Sequence, residues 1–392
     1  MRMTKISRRA LAQLAAAAAV SAAPPPQATT QAAAGPYTGP LTGLEEKTEG
    51  RGLDPLPAAL RMLDAAPRRL RFSATNKAQA QRWQTELRVK LAELVGGFPA
   101  DKEPLRPVTL EVREFPGYKR EKLLFDSREG FSVLAYLLTP LKATSPLPAV
   151  VCVPGHGRGV DDIVGIDDKG RDRTDKSGYQ HDFALQVVEA GMAAIAIEPM
   201  GFGCRRDPRT AKQGLGRSSC QPVAGTALLM GHTLIGWRVY DIMRTMDWIG
   251  TRPELDAKRI GCTGISGGGT CTVFAAALEP RIKAAFVSGY LNTFRDSIGS
   301  IAHCIDNYVP GILNWAEMYD IAGLIAPRPL FVESGRKDNI FPIEASIESF
   351  QKTRAIYQVF GAGDRVGQEV FDADHLFWGK QGIPFLARHL TT

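Results

Sequence analysis

The hydrophobic pattern along the middle of the chain predicts short buried strands that alternate with helices. Continuous apolar runs occupy residues 146–153 and 193–198, with a helical pattern at 181–190 between them. A third apolar run, residues 258–263, is followed by the helical composition of residues 270–279. Because parallel strands need crossover helices, this alternation predicts a mostly parallel sheet flanked by helices.

A different pattern precedes this region. Apolar and polar residues alternate in three segments, which predicts a meander of antiparallel strands; the segments are residues 108–115, 118–125 and 132–138. After residue 280 the chain offers three more strands and a last helix, at residues 284–288, 329–333, 368–371 and 383–389. Residues 201–226 are rich in Gly, Arg and Ser and predict a surface loop, followed by one helix at 229–249.

The first 34 residues have the features of a targeting segment. Arg8 and Arg9 form an arginine pair that precedes an alanine-rich run, as in a twin-arginine signal peptide. The apolar run is too short and too weakly hydrophobic to span a bilayer stably. We therefore expect a protein exported to the periplasm or secreted, with no stable membrane span.

Three segments are expected in total. Residues 1–34 are the twin-arginine signal peptide, residues 35–105 a helical N-terminal extension, and residues 106–392 the catalytic domain. In the extension, helical spacing occurs at residues 56–63 and 76–95. We interpret the extension as a structural cap on the catalytic domain.

Composition places the chain among globular proteins and argues against nucleic acid as a partner. The chain has 392 residues, of which 44% are hydrophobic and 23% charged. The formal net charge is +7, but the first 34 residues contain four basic and no acidic side chains, which leaves +3 for the rest. So small an excess, without a basic stripe carrying aromatic residues, does not indicate a nucleic-acid surface.

The chemistry of the chain centres on Gly264-Ile265-Ser266-Gly267-Gly268, which fits the pattern Gly-x-Ser-x-Gly. This pattern is a nucleophile elbow, in which a serine occupies a sharp turn between a strand and a helix. The predicted strand before it and helix after it supply that context. Ser266 is therefore the expected nucleophile.

A serine nucleophile needs a histidine base and an acid that orients the base, and here the order along the chain would be serine, acid, histidine. His375 is the base because it follows the last predicted strand. Asp338 is the preferred acid, in a turn after a strand. Glu333 and Asp374 remain alternatives, the first at the end of the strand that precedes Asp338 and the second beside the base.

The oxyanion donors are expected to be the backbone N–H of Gly267 and one N–H from the loop that follows residue 153. His156 is the preferred donor in that loop, with Gly157 and Arg158 as alternatives. The His156 side chain has no companion histidines or carboxylates at metal-ligand spacing, so no metal is expected, and no other cofactor.

These motifs together resemble exported bacterial α/β-hydrolases related to acetyl xylan esterases and dienelactone-hydrolase-like esterases. The resemblance covers about residues 55–390 and rests on Pro154-Gly155-His156-Gly157, Glu198-Pro199-Met200-Gly201-Phe202-Gly203, the elbow, residues 303–311 and residues 325–330. It implies an α/β-hydrolase fold and carboxylic ester hydrolysis, often on acylated plant polysaccharides. Many members have His-Gly-His-Gly in the oxyanion loop, and here Pro154 replaces the first histidine of that motif.

The expected substrate is thus a small-molecule or carbohydrate ester, and the oligomeric state is not predicted. Two other functions fit the same fold: a serine peptidase and a non-catalytic carbohydrate-binding protein. Of the cysteines, Cys204 and Cys220 share one loop and would be able to pair in an exported protein, whereas Cys304 is unassigned; Cys152, Cys262 and Cys271 are expected to be buried and inert.

Overall fold

The computed structural model describes residues 39–41, 44–142 and 146–391, in two compact units divided after Pro55. Within the first unit, the described residues include the short helix α1 (Glu45–Thr48). The predicted signal segment lies outside the described residues. Among the described residues, no helix has the length and apolar character required to cross a membrane.

Nine strands in the described part of the second unit form one sheet, in the order β1-β2-β3-β5-β4-β6-β7-β8-β9. The pairs β1–β2, β2–β3 and β3–β5 are antiparallel, and every other pair is parallel. This confirms the predicted meander and mostly parallel sheet. The strands are β1 (Val108–Phe115), β2 (Tyr118–Arg128), β3 (Phe131–Pro140), β4 (Leu147–Val153), β5 (Ala193–Ile197), β6 (Leu255–Ile265), β7 (Ile282–Ser288), β8 (Leu330–Gly335) and β9 (Val366–Phe371).

Helices cover both faces of the sheet. They are α2 (Leu56–Asp64), α3 (Lys77–Leu94), α4 (Phe183–Glu189), α5 (Pro208–Ala211), α6 (Cys220–Leu229), α7 (Leu234–Ile249), α8 (Gly267–Leu278), α9 (Met318–Gly323), α10 (Ile343–Val359) and α11 (Gly382–Thr391). Short helical turns occupy Val160–Ile163, Gly203–Arg205, Phe294–Ile298, Ile305–Asn307, Ile312–Asn314 and Gly363–Arg365.

The central strand β4 shows how the two faces are built. All seven of its residues are buried, and Val151 pairs with Ile195 of β5 and Cys262 of β6. Val151 packs into the larger core cluster, which includes residues of α3, α7, α8 and α10, whereas Val150 packs into the cluster that includes α4 and α11. A strand buried on both faces requires the continuous apolar run found in the sequence.

The structure corrects three local predictions. The helix predicted at residues 229–249 corresponds to α7 and begins at Leu234, later than predicted, because Gly231 adopts a φ of +75° and the Thr233 side chain caps α7 by accepting a hydrogen bond from the Gly236 N–H. The loop predicted at residues 201–226 contains α5 and the start of α6. Helix α10 was not predicted at all, although it spans 17 residues.

The part of the predicted extension that belongs to the second unit packs into the core of that unit. Helix α3 buries Trp83 and Leu87, and the Trp83 indole N–H donates to the Leu70 carbonyl at 2.7 Å. Gln84 of the same helix donates its side-chain amide to the Ala326 carbonyl at 2.6 Å. The Gln84 contact joins this helix to a segment 242 residues away in the chain.

Candidate active site

Ser266 lies at the junction of β6 and α8, at the carboxyl edge of the sheet. Its backbone has φ +57° and ψ −122°, a region that residues with a side chain rarely adopt. The turn is held by the Ser266 N–H, which donates to the Ser288 carbonyl at 3.1 Å, and by the Thr270 N–H, which donates to the Ser266 carbonyl at 2.9 Å. The serine is therefore fixed in a strained turn between strand and helix.

The elbow needs glycine because strand and helix approach too closely for side chains. A Cβ on Gly264 would lie 2.5 Å from the Gly268 carbonyl oxygen, and a Cβ on Gly268 would lie 1.9 Å from the Val153 carbonyl oxygen. Both neighbours are backbone atoms, which no side-chain rotation can move aside. Strand β4, strand β6 and helix α8 therefore meet directly beneath Ser266.

A histidine and a carboxylate meet beside this turn. His375 follows β9, and its Nδ1 lies 2.6 Å from Oδ2 of Asp338, which follows β8. The other carboxylate oxygen of Asp338 accepts hydrogen bonds from the backbone N–H groups of Ile340 at 2.8 Å and Phe341 at 3.1 Å. Both oxygens of this buried carboxylate are thus occupied, and its orientation toward His375 is fixed.

Two aromatic rings stack with the His375 imidazole. The Tyr179 and Phe341 ring centroids each lie 5.6 Å from it, with interplanar angles of 26° and 22°. A Cβ on Gly289 would lie 2.9 Å from His375 Cε1, so this position must stay open for the ring. The His375 Nε2 is buried and has no hydrogen-bond partner among the residues described. Ser266 and His375 line the same cavity, and no hydrogen bond joins their side chains.

The two alternative acids have other positions. Glu333 is fully buried, and its oxygens accept the backbone N–H groups of Trp378 and Gly379, each at 2.9 Å. Burial raises the pKa of Glu333 to about 7. Asp374 is exposed to solvent. The structure thus brings Asp338 to the histidine, while Glu333 anchors the chain that follows His375.

The loop after β4 packs on the nucleophile. A Cβ on Gly155 would lie 3.0 Å from the Ser266 Cβ, and the Gly155 N–H donates to the Gln180 side chain at 2.8 Å. The Arg158 N–H donates to the Asp162 carboxylate at 2.8 Å. Among the described residues nothing accepts the N–H of His156, Gly157 or Gly267. Arg158, one alternative oxyanion donor, therefore already has a partner.

The His156 side chain belongs to a buried polar cluster that sequence reasoning missed. Its Nε2 lies 3.3 Å from Asp306 Oδ2 and 3.9 Å from Cys220 Sγ, and Cys304 completes a group whose ligand atoms all lie within 4.8 Å of one another. These residue types are suited to a divalent metal. However, Arg238 donates to both Asp306 and Cys220, so a cation already contacts two of the four groups.

The companions of His156 were not found because they come from distant segments. Cys220 begins α6, and Cys304 and Asp306 lie in or beside the turn at Ile305–Asn307. Only the resemblance motif at residues 303–311 pointed to that turn. All six cysteines are free, and Cys220 lies beside Cys304 in the cluster, whereas Cys204 is exposed outside it.

Ser266, His375 and His156 line one cavity of about 360 Å³. It is lined by His156, Tyr179, Ser266, Ile301, Ala302, His303, Cys304, Ile340 and His375. A larger cavity of about 670 Å³, at Phe115, Tyr118 and Leu185, contains none of the predicted site residues. The residues that line a cavity therefore identify the candidate site better than the volume of the cavity does.

The fold is similar to that of several esterases. A provisionally named acetyl xylan esterase from Bacteroides fragilis NCTC 9343 superposes with a TM-score of 0.71 at 21% identity, over 83% of each chain. A glucuronoyl esterase from Solibacter usitatus gives 0.59 at 16% identity, over 80% of this chain and 94% of the other. Methylesterase BT1017 gives 0.60 at 18% identity, over 84% and 66% of the respective chains. At such identities the likeness is one of fold, and it confirms the predicted α/β-hydrolase architecture.

Sequence comparison reaches further. The chain is 28% identical over 290 residues to the provisionally named hydrolase YtaP of Bacillus subtilis (strain 168), over 72% of this chain and 90% of that protein. A family model described as "Abhydrolase family" matches residues 44–367. The chain therefore belongs to this α/β-hydrolase family, which confirms the resemblance predicted from its motifs.

Proposed function

We propose that the protein is a serine carboxylic ester hydrolase that deacylates carbohydrate or related small esters. One observation carries the proposal. A serine held at positive φ shares a cavity with a histidine whose Nδ1 lies 2.6 Å from a buried carboxylate. This is the arrangement that nucleophilic catalysis at serine requires.

In the proposed reaction, Ser266 Oγ attacks the ester carbonyl while His375 Nε2 takes its proton. Asp338 holds the opposite ring nitrogen and stabilises the imidazolium that forms. The imidazolium then protonates the leaving alcohol, and the carbonyl reforms as an acyl-enzyme. Water repeats the cycle, with His375 as base, and releases the acid.

The negative charge that develops on the carbonyl oxygen needs hydrogen-bond donors. The N–H of Gly267, at the first turn of α8, is one proposed donor. The N–H of His156 is the other, with Gly157 as the alternative, because these N–H groups have no acceptor among the described residues while those of Gly155 and Arg158 do.

The substrate class rests on the similar proteins and on the cavity. The structural neighbours are named for acetyl, glucuronoyl and methyl esters, all of which are carboxylic esters. A cavity of about 360 Å³ is at the small end of ligand pockets and suits a short acyl group, with the alcohol directed toward solvent. Deacetylation of a carbohydrate is the reaction that best combines these features.

We further propose that residues 1–34 direct export by the twin-arginine route, since Arg8 and Arg9 precede an alanine-rich run. Replacing both arginines by lysine is expected to keep the full-length precursor inside the cell. Cell fractionation followed by immunoblotting tests this, and unchanged export of the variant would refute it.

The esterase proposal is tested with the protein lacking residues 1–34, assayed on p-nitrophenyl acetate and acetylated xylan. Ser266→Ala is the test variant, and Ser73→Ala, at an exposed position, is its matched control. We expect turnover of both substrates by the parent and the control, and none by Ser266→Ala. Turnover of the small ester alone would exclude xylan, and equal turnover by Ser266→Ala would exclude the serine mechanism.

A further inference from the structure

The cavity contains a second histidine paired with a carboxylate. His156 lines the same cavity as Ser266 and His375, and its Nε2 lies 3.3 Å from Asp306 Oδ2. The Asp306 side chain is 1% exposed and that of His156 is 32% exposed. The pair therefore runs from the buried interior to the wall of the cavity, with the imidazole at the open end.

Asp306 is held in its charged form from behind. The Arg238 guanidinium, itself buried, donates to Oδ2, and the Asn307 side-chain amide donates to Oδ1 at 2.9 Å. Although burial opposes ionisation, the charges of His156 and Arg238 lower the pKa of Asp306 well below its usual range. A buried carboxylate with these partners remains an anion and attracts a proton to His156.

The other ring nitrogen of His156 is free to act. No residue in the described ranges forms a hydrogen bond with its Nδ1, and a Cβ on Gly267 would lie 3.1 Å from that atom. Gly267 supplies one proposed oxyanion donor, so Nδ1 lies at the edge of the space where the oxyanion forms. Burial lowers the pKa of His156, but the charge of Asp306 outweighs it and raises the pKa to about 9.

We propose that the side chain of His156, and not only its backbone N–H, is a catalytic group that stabilises the oxyanion. Its Nε2–H is held by Asp306, and the protonated ring presents Nδ1–H to the carbonyl oxygen of the ester. As the tetrahedral intermediate forms, this oxygen gains negative charge and accepts the hydrogen bond; when it collapses, the charge returns to the carbon–oxygen bonds and no proton leaves His156. The inference deepens the proposed function and rests on it.

A protonated histidine stabilises an oxyanion more strongly than a neutral donor does, because the hydrogen bond is charge-assisted and partly shielded from water. Arg238 and Asp306 form the buried ion pair behind the ring, so the imidazolium is the one group of this set that faces the cavity.

A metal on His156 Nε2 is the competing arrangement. It would need the lone pairs of Asp306 and Cys220 that now accept from Arg238, whose guanidinium lies 3.2 Å from the Cys220 sulfur. The imidazolium needs only the contact of its Nε2–H with Asp306 Oδ2 and leaves both Arg238 contacts in place, which favours the imidazolium over the metal.

The titratable groups around His156 set the expected pH dependence. Asp306 and Cys220 face Nε2, Cys304 lies within the same cluster, and Arg238 lies behind it. Across the cavity lie His303 and His375, which pairs with Asp338. His303 is largely neutral, because burial lowers its pKa to about 4. His156 is therefore expected to lose its proton near pH 9, and activity should fall there.

The test compares His156→Gln with His389→Gln, a histidine substitution in the last helix. Gln keeps the backbone N–H and a polar side chain but carries no charge. We expect His156→Gln to lower kcat on p-nitrophenyl acetate by roughly 10²-fold with little change in KM, as for loss of an oxyanion donor. We also expect it to lose the decline in activity near pH 9 that the parent and His389→Gln show.

The possible outcomes distinguish a failure of the His156 proposal from a failure of the proposed esterase mechanism. If the decline near pH 9 persists in a folded His156→Gln variant with reduced kcat, the histidine acts only through structure and the proposal is wrong. A kcat within about threefold of the parent also overturns it, as does one equivalent of zinc per chain by elemental analysis of the parent. Full activity of Ser266→Ala would instead overturn the esterase mechanism itself. Thermal unfolding of His156→Gln checks that the variant folds.

Discussion

A single methyl group added at Gly268 should disrupt the turn that carries Ser266, because there is no space for it. In Gly268→Ala, the new Cβ would lie 1.9 Å from the Val153 carbonyl oxygen, 2.7 Å from the Val153 carbonyl carbon and 2.9 Å from the Pro154 carbonyl carbon. The first of these distances is about 1.6 Å inside the roughly 3.5 Å optimum for non-bonded contact. All three atoms are backbone, so only movement of the chain can relieve the overlap.

That movement is costly because neither partner is free. Val153 ends β4, which is hydrogen-bonded to β5 on one side and β6 on the other, and Gly268 lies in the first turn of α8. We therefore expect a cost at the upper end of that for overpacked cores, about 3 kcal/mol in the free energy of unfolding. If the protein instead shifts α8, the Gly267 N–H moves away from the oxyanion, and an error of about 1 Å would cost roughly 10²-fold in kcat.

The matched control is Gly225→Ala, an exposed glycine within α6 around which a Cβ would meet nothing within 4 Å. Alanine there should stabilise the helix by up to about 1 kcal/mol. Urea denaturation and p-nitrophenyl acetate kinetics on the two variants measure both effects. A Gly268→Ala protein with the stability and kcat of the parent would refute the close approach of β4 and α8.

Two further predictions concern carboxylates. Asp338→Asn should lower kcat by roughly 10³- to 10⁴-fold, because an amide cannot hold the required histidine tautomer, whereas Asp374→Asn, at an exposed position, should change it little; equal losses in steady-state assays would contradict the acid assignment. Burial raises the pKa of Glu198 to about 8, so the native protein holds a proton that the unfolded chain releases near pH 4.5, and its free energy of unfolding should fall as pH rises from about 4.5 to about 8. Glu198→Gln removes this titration, so the stability of the variant relative to the parent should increase with pH across that window in urea denaturation. A constant difference would show that the native protein does not raise the pKa of Glu198.

The sequence predicted the sheet well because its central strands are buried on both faces. Such strands are typically continuous apolar runs, and the predicted bounds of β4 and β5 lie within two residues of those observed. Helix α10 was missed for the converse reason. Its buried positions include Ser346, Ser349 and Thr353, so its packed face is partly polar and lacks a clear apolar stripe.

The break between α6 and α7 shows a second limit. Gly231 and Thr233 carry the signals of a helix end and a helix start, but the prediction assigned most of α6 to a loop and began the next helix at residue 229. Capping decided the outcome in the folded chain. Single cap residues are weak signals in a sequence because each competes with ten or more residues of helix propensity.

Ser266, Asp338 and His375 could be predicted because each follows a strand, and the carboxyl ends of parallel strands meet at one edge of a sheet. The group around His156 obeys no such rule. Cys220 and Asp306 come from insertions between strands, and what brings them to His156 is Arg238, a buried arginine on α7 that pairs with Asp306 and donates to Cys220. A buried guanidinium must collect anions, because an unpaired charge in the interior costs several kcal/mol. Because Arg238 contacts both insertions, it fixes the positions of Cys220 and Asp306 beside His156. The electrostatics of the proposed oxyanion site therefore depend on Arg238, which does not line the cavity.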